Sequence, residues 1–239
     1  MTTYLLVHGA WHSGQAWERV APLLTAAGHR VLAPTLTGHG SAPFDPEAGL
    51  ETYVADVKRV LDEHDLADVV LVGHSYAGLI VSSVVNDVPE RIGHVVYLDA
   101  MVPVHGETAL DVMPITGVLV EAAARSNTPE RVPPLPEMPA PHGLFGVTDP
   151  GDIARLRATL VDEPVRAYEQ PVRLDNPVAD AVPRTHIHCV GFEVEGITRR
   201  PVPPTQPNGS PAQVWELHSG HDCMITAPDE LAALLLKLA

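Results

Sequence analysis

Basic residues are scarce in this chain. Its 239 residues hold 15 Lys and Arg against 30 Asp and Glu, a formal net charge of -15. Binding a phosphate backbone needs clustered Lys and Arg, so nucleic acid is not an expected partner, and the acidity favours solubility. Long apolar runs are missing too. A stretch such as 69–72 is strand-length, far short of the ~20 residues that cross a bilayer, so no membrane partner is expected. Met1, Thr2 and Thr3 lead straight into an apolar strand with no basic n-region or small-residue cleavage site, which predicts a cytoplasmic protein. The two cysteines, Cys189 and Cys223, have no metal-ligand spacing and read as buried thiols in a reducing compartment. His8, His12 and His39 likewise lack the helical spacing of a metal motif, so a metal centre is not expected.

What is present is alternation. Short β-branched runs at 4–7, 30–33, 69–72, 94–98, 185–190 and 213–217 are separated by segments of helical period, the pattern of a mostly parallel, doubly wound α/β sheet. A helix is predicted from Ser13, with Trp17, Val20, Leu24 and Ala27 on one face and Gly28 as its stop; others are predicted over 50–64 and after Ser75. From about 101 to 183 the alternation breaks down. Helical pieces at 117–125 and 151–160 flank a proline-rich stretch, 129–141, that resists both helix and central strand, so this region reads as a small helical cap inserted into a single domain spanning 1–239. A last helix is predicted to open with a capping box at Thr226-Ala227-Pro228-Asp229.

The sharpest signal is Gly73-His74-Ser75-Tyr76-Ala77-Gly78, placed between a strand and a helical pattern as a nucleophile elbow requires. Small neighbours let the strand and helix approach, and the helix N-terminus points its amides at the place where a carbonyl oxygen gains charge. Ser75 is the candidate nucleophile. His221, just past the last strand and before the last helix, is the candidate general base, with His218 as the alternative. An oxyanion needs two donors: the Tyr76 amide, and the Ala10 amide from His8-Gly9-Ala10-Trp11 at the end of the first strand, Trp11 being the less favoured choice. His8 and His74 are expected to order these two loops. For the orienting acid, Asp99 at the end of strand 94–98 is favoured over Glu193 in the loop after 185–190, and both remain open. Trp11, Tyr76, Met101, Leu144 and Phe145 are the candidate pocket walls, against the plainer reading that they serve packing.

Four stretches, Leu5-Leu6-Val7-His8-Gly9-Ala10-Trp11-His12, Val70-Leu71-Val72-Gly73-His74-Ser75-Tyr76-Ala77-Gly78, Val96-Tyr97-Leu98-Asp99-Ala100 and Gly220-His221-Asp222-Cys223-Met224, carry a resemblance over nearly the whole chain. They resemble α/β-hydrolase esterases of the plant methylesterase and hydroxynitrile lyase group, and most of all its bacterial relatives. The resemblance implies an α/β-hydrolase fold and serine-dependent cleavage of a small, largely apolar carboxylic ester or lactone through an acyl-enzyme, without metal or cofactor. The plant lyases carry Thr where this chain has Gly9, and a cyanide-stabilising Lys where it has Asp222, so cyanohydrin cleavage is not expected. Two other readings stay open: Ser/His base chemistry that breaks a carbon-carbon bond or closes a ring, and a small-ligand binding protein without turnover.

Overall fold

Strands buried on both faces need apolar side chains at successive positions, and the short runs supply them. The computed structural model describes residues 1–191, 194 and 198–239, and its strands are β1 (Thr3–Val7), β2 (Arg30–Leu32), β3 (Val69–His74), β4 (Ile92–Leu98), β5 (Arg131–Val132), β6 (Glu163–Pro164), β7 (Arg184–Val190) and β8 (Gln213–His218). Its helices are α1 (Ala21–Ala26), α2 (Leu50–Glu63), α3 (Ala77–Asp87), α4 (Ala109–Val112), α5 (Thr116–Ala124), α6 (Pro150–Arg157), α7 (Val165–Glu169), α8 (Cys223–Thr226) and α9 (Pro228–Leu235). Six strands form one sheet in the order β2-β1-β3-β4-β7-β8, with every neighbour parallel. This is the α/β-hydrolase architecture.

Strand side chains alternate between faces. Leu5, Val7, Leu71, Val95 and Tyr97 enter the core shared with Val57 and Leu61 of α2 and Ile80 and Val84 of α3. Their neighbours Tyr4, Leu6, Val70, Val72, Val96 and Leu98 enter a second core with Leu24 of α1 and Leu231 and Leu235 of α9. The strand order reverses between β1 and β3, because the chain leaves β1 toward β2 and then builds outward on the other side. Such a switch point opens a crevice at the carboxyl ends of the strands. The loops carrying Ala10 and Ser75 leave β1 and β3 at that crevice.

Two local expectations are corrected. The helix foreseen from Ser13 to Ala27 is split into a 3-10 turn, Gly14–Trp17, capped by Ser13, and a separate α1. Pro22 in the first turn of α1 has no N–H to continue a preceding helix, so it starts a new one. The capping box foreseen at Thr226 does not form either. Ala227 occupies the cap of α9 without a side-chain bond, and the Thr226 hydroxyl pairs instead with Ser219 at 2.6 Å, closing the loop that carries His221.

Between β4 and β7 lie α4, α5, β5, α6, β6 and α7. The proline-rich stretch contributes only β5, which pairs antiparallel with β6 so that Val132 faces Glu163. This insertion is tied to the carboxyl ends of β1 and β3: the Tyr76 hydroxyl donates to the Ala167 carbonyl at 2.6 Å, and the Val161 amide donates to the Trp11 carbonyl at 2.9 Å. No helix of the described residues is long and apolar enough to cross a membrane.

Candidate active site

Ser75 follows β3 with a φ of +56°, a left-handed conformation that is strained for a residue with a side chain. The turn is held by the last residues of the neighbouring strand: the Ser75 amide donates to the Leu98 carbonyl at 3.2 Å, and the Met101 amide donates to the Ser75 carbonyl at 2.9 Å. So tight a fit leaves no room at Gly78, where a Cβ would lie 1.9 Å from the Met101 carbonyl oxygen. Ser75 remains half-buried with its hydroxyl facing His221.

The structure brings Ser75, His221 and Asp99 into one chain of hydrogen bonds. His221 Nδ1 lies 2.7 Å from Asp99 Oδ2 and Nε2 lies 3.0 Å from Ser75 Oγ. A carboxylate only accepts, so the Nδ1 proton points at Asp99 and Nε2 is left to accept from the serine hydroxyl. Burial opposes charge on His221, but the hydrogen bond and charge of Asp99 outweigh it and raise the imidazole above its ordinary value of 6.5. Burial alone would raise Asp99; the hydrogen bond to His221 and the charges of His221 and Arg199 instead hold it well below the usual carboxylate range. Arg199 and the Cys189 amide both donate to Asp99 Oδ1, so each of its oxygens has a donor. Glu193, the other candidate acid, lies outside the described residues. His218 sits on β8 and is exposed.

The Gly9–Ala10 turn lies directly against Ser75, since a Cβ on Gly9 would come within 2.8 Å of Ser75 Cβ. The Ala10 and Tyr76 amides donate to no other described group, whereas the Trp11 amide is occupied by Glu163 Oε2 at 2.9 Å. Of the two donors weighed for the first loop, Ala10 is therefore the free one. His8 accepts from the Leu36 amide at 3.1 Å through Nε2, and burial pushes it well below 6.5, so it is neutral. His74 is pushed by burial down to about 3 and donates to the His221 carbonyl at 3.0 Å.

Trp11 and Phe145 stack with ring centroids 5.7 Å apart, and Phe145 reaches 6.4 Å from the His221 ring. Met101 is buried beside the elbow. Leu144 packs in a separate small cluster with Val147 and Leu156, the packing alternative. A cavity of about 200 Å³ lies along α3, lined by Ser82, Asn86, Tyr97, His105 and Arg184 among others, and Ser75 is not part of its wall.

Several residues to which the sequence assigned no part in the site lie around it. Glu163, fully buried, accepts from Trp11, from His39 at 2.9 Å and from Tyr53 at 2.7 Å. Asp222, also fully buried, pairs with His12 at 2.9 Å. Tyr168 sets its ring 6.4 Å from Trp11 and 5.9 Å from Tyr76, and its buried hydroxyl has no hydrogen-bond partner among the described residues. Only spatial partners distinguish these groups, and partners so distant along the chain leave no local pattern. Among the described residues, His74, His221 and Asp222 could together hold a metal, their ligand atoms lying within 4.8 Å of one another. Both ring nitrogens of His221 are already engaged, so an ion there would compete with the Ser75 and Asp99 bonds.

A family model described as "Alpha/beta hydrolase family" matches residues 4–234. A carbendazim hydrolyzing esterase of Nocardioides sp. (strain SG-4G) is 34% identical over 251 residues, covering 100% of both chains. Methylesterase 1 of Arabidopsis thaliana is 36% identical over 104 residues, 42% of this chain and 40% of its own. Among solved structures, an extracellular alpha/beta-hydrolase from a Paenibacillus species, described as sharing structural and functional homology with tobacco salicylic acid binding protein 2, superimposes with a TM-score of 0.80 at 23% identity, covering 99% of this chain and 98% of that one.

Proposed function

Because this chain belongs to the alpha/beta hydrolase family, we propose that it is a serine esterase in which Ser75 is the nucleophile, His221 the general base and Asp99 the orienting acid. The observation that carries the proposal is the continuous hydrogen-bond chain from Ser75 Oγ through His221 to Asp99, at 3.0 and 2.7 Å. His221 takes the Ser75 proton as Oγ attacks the carbonyl carbon. The oxyanion accepts from the Ala10 and Tyr76 amides, and Asp99 stabilises the imidazolium. The imidazolium then protonates the leaving alcohol. Water, deprotonated by the same imidazole, cleaves the acyl-enzyme and regenerates Ser75.

The substrate class we propose is a small, largely apolar ester or lactone. The Trp11 and Phe145 rings and Met101 beside Ser75 and His221 support it, as does the 34% identical relative named for its esterase activity. Cyanohydrin cleavage has little support. Gly9 offers no hydroxyl and has no room for one, and Asp222 is an anion committed to His12.

The test is turnover of p-nitrophenyl acetate and butyrate. Ser75→Ala and His221→Ala are each expected to lower kcat by at least ~10³-fold, and a fluorophosphonate is expected to label Ser75. A wild type that turns over neither ester and resists the probe would overturn the reading.

A further inference from the structure

The oxyanion loop is held by the insertion, and every hydrogen-bonding group of Trp11 takes part. Its amide donates to Glu163 at 2.9 Å, its carbonyl accepts from the Val161 amide at 2.9 Å, and its indole Nε1 donates to the Val132 carbonyl at 3.0 Å. All three partners lie in or beside the β5/β6 ladder, where Val132 faces Glu163. Trp11 has a φ of +65°, a conformation a bulky side chain adopts only when its surroundings impose it. On the other side of the same peptide unit, the Ala10 carbonyl accepts from His12 Nδ1 at 2.7 Å, while His12 Nε2 donates to Asp222, the residue after His221. The Ala10–Trp11 peptide is thus fixed at both ends, its oxygen by His12 and its N–H by Glu163.

We infer that Glu163 is a positioning residue for the oxyanion hole: by holding the Trp11 amide it fixes the Ala10–Trp11 peptide and so aims the neighbouring Ala10 amide at the reacting carbonyl. This rests on the esterase reading above. Glu163 is fully buried and acts through Trp11. Its carboxylate is itself held in place, by Tyr53 on Oε1 and by His39 on Oε2. Both ring nitrogens of His39 face acceptors, Glu163 and the Thr37 carbonyl at 3.1 Å, so His39 is a cation there. Released from Glu163, the peptide keeps only the His12 bond on its oxygen and can tilt about it, so that Ala10 loses its aim without any change in the nucleophile or base.

The experiment compares wild type, Glu163→Ala and Glu163→Gln on p-nitrophenyl butyrate, and measures inhibition by an aryl trifluoromethyl ketone, which forms an oxyanion on Ser75. Losing one oxyanion donor costs roughly 10²–10³-fold in kcat. Glu163→Ala is expected to lower kcat by about 10²-fold with KM little changed, and to weaken the ketone by a similar factor. Glu163→Gln keeps an oxygen for the Trp11 amide and is expected to recover most of the loss. A folded Glu163→Ala that keeps its kcat, or that changes KM alone, would overturn the inference. If Glu163→Ala does not fold, the Trp11 amide proton decides. A charge-assisted bond to Glu163 places that resonance downfield in the wild type and moves it upfield in Glu163→Gln, and an unmoved resonance refutes the clamp. A wild type without esterase turnover would overturn the esterase reading instead, while the resonance still tests the clamp.

Discussion

Asp99 leaves β4 with a φ of +43°, and its side chain takes donors on both oxygens, His221 on one and Arg199 with the Cys189 amide on the other. Under the proposed mechanism, Asp99→Asn is expected to lower kcat by at least ~10²-fold while leaving the protein folded. It is also expected to change the pH dependence. Activity requires neutral His221, whose pKa is raised, so kcat/KM of the wild type should fall on acidification with an apparent pKa above 6.5. Removing the carboxylate removes that rise, and the acid limb of Asp99→Asn moves to lower pH. A limb that stays in place would point to a different partner for His221. Tyr168→Phe removes a buried hydroxyl that has no hydrogen-bond partner among the described residues, so thermal unfolding should show no loss of stability. At this scale Ser75, His221 and the Ala10 and Tyr76 amides were legible as candidates, because each sits in a short motif at a strand end. Arg199 and Glu163 were invisible, since nothing near them in the chain marks their partners.

The strands were the legible elements. Uninterrupted apolar runs have few alternatives to a buried parallel strand, and β3 differs from expectation only in continuing through Gly73 and His74. The insertion was legible only as a break in pattern; its two-residue ladder is too short to show periodicity. The split first helix follows from Pro22, and the missing capping box from Thr226 finding Ser219. Core burial sets the cost of damaging these elements. Leu71, in the middle of β3 and fully buried, is expected to cost about 2–5 kcal/mol as Leu71→Ala, read as a lower denaturant midpoint with an unchanged slope. A cost under about 1 kcal/mol would mean that the sheet collapses around the gap.

Across the whole molecule, the charged groups beneath the site set a pH window for stability. Burial opposes charge on His12 and His39, but Asp222 and Glu163 raise both above 6.5. Groups raised on folding stabilise below their unfolded pKa and lose that contribution as pH rises through the folded one. Asp99 and Asp222 are lowered, so their contribution is present above 3.8 and is lost as pH falls through their folded values. The melting temperature is therefore expected to peak near pH 6.5: above it His12 and His39 lose their contribution, below it His8 and His74, which burial keeps neutral in the fold, favour the protonated unfolded chain, and below about 4 the loss from Asp99 and Asp222 is added. A net charge of -15 also weakens the fold at high pH through surface repulsion, which salt screens, whereas buried pairs are screened little. An alkaline decline that survives high salt belongs to His12 and His39; one that salt abolishes belongs to the surface.

Trp11, Ser75 and Asp99 adopt φ values of +65°, +56° and +43°, each just past the end of a parallel strand. All three are places where a backbone without a side chain would rest more easily. Heat tolerance and turnover therefore pull in opposite directions at Ser75, which is half-buried and has little packing to lose. A library selected only to survive heating should drift there toward glycine or asparagine, and one selected for turnover as well should keep serine.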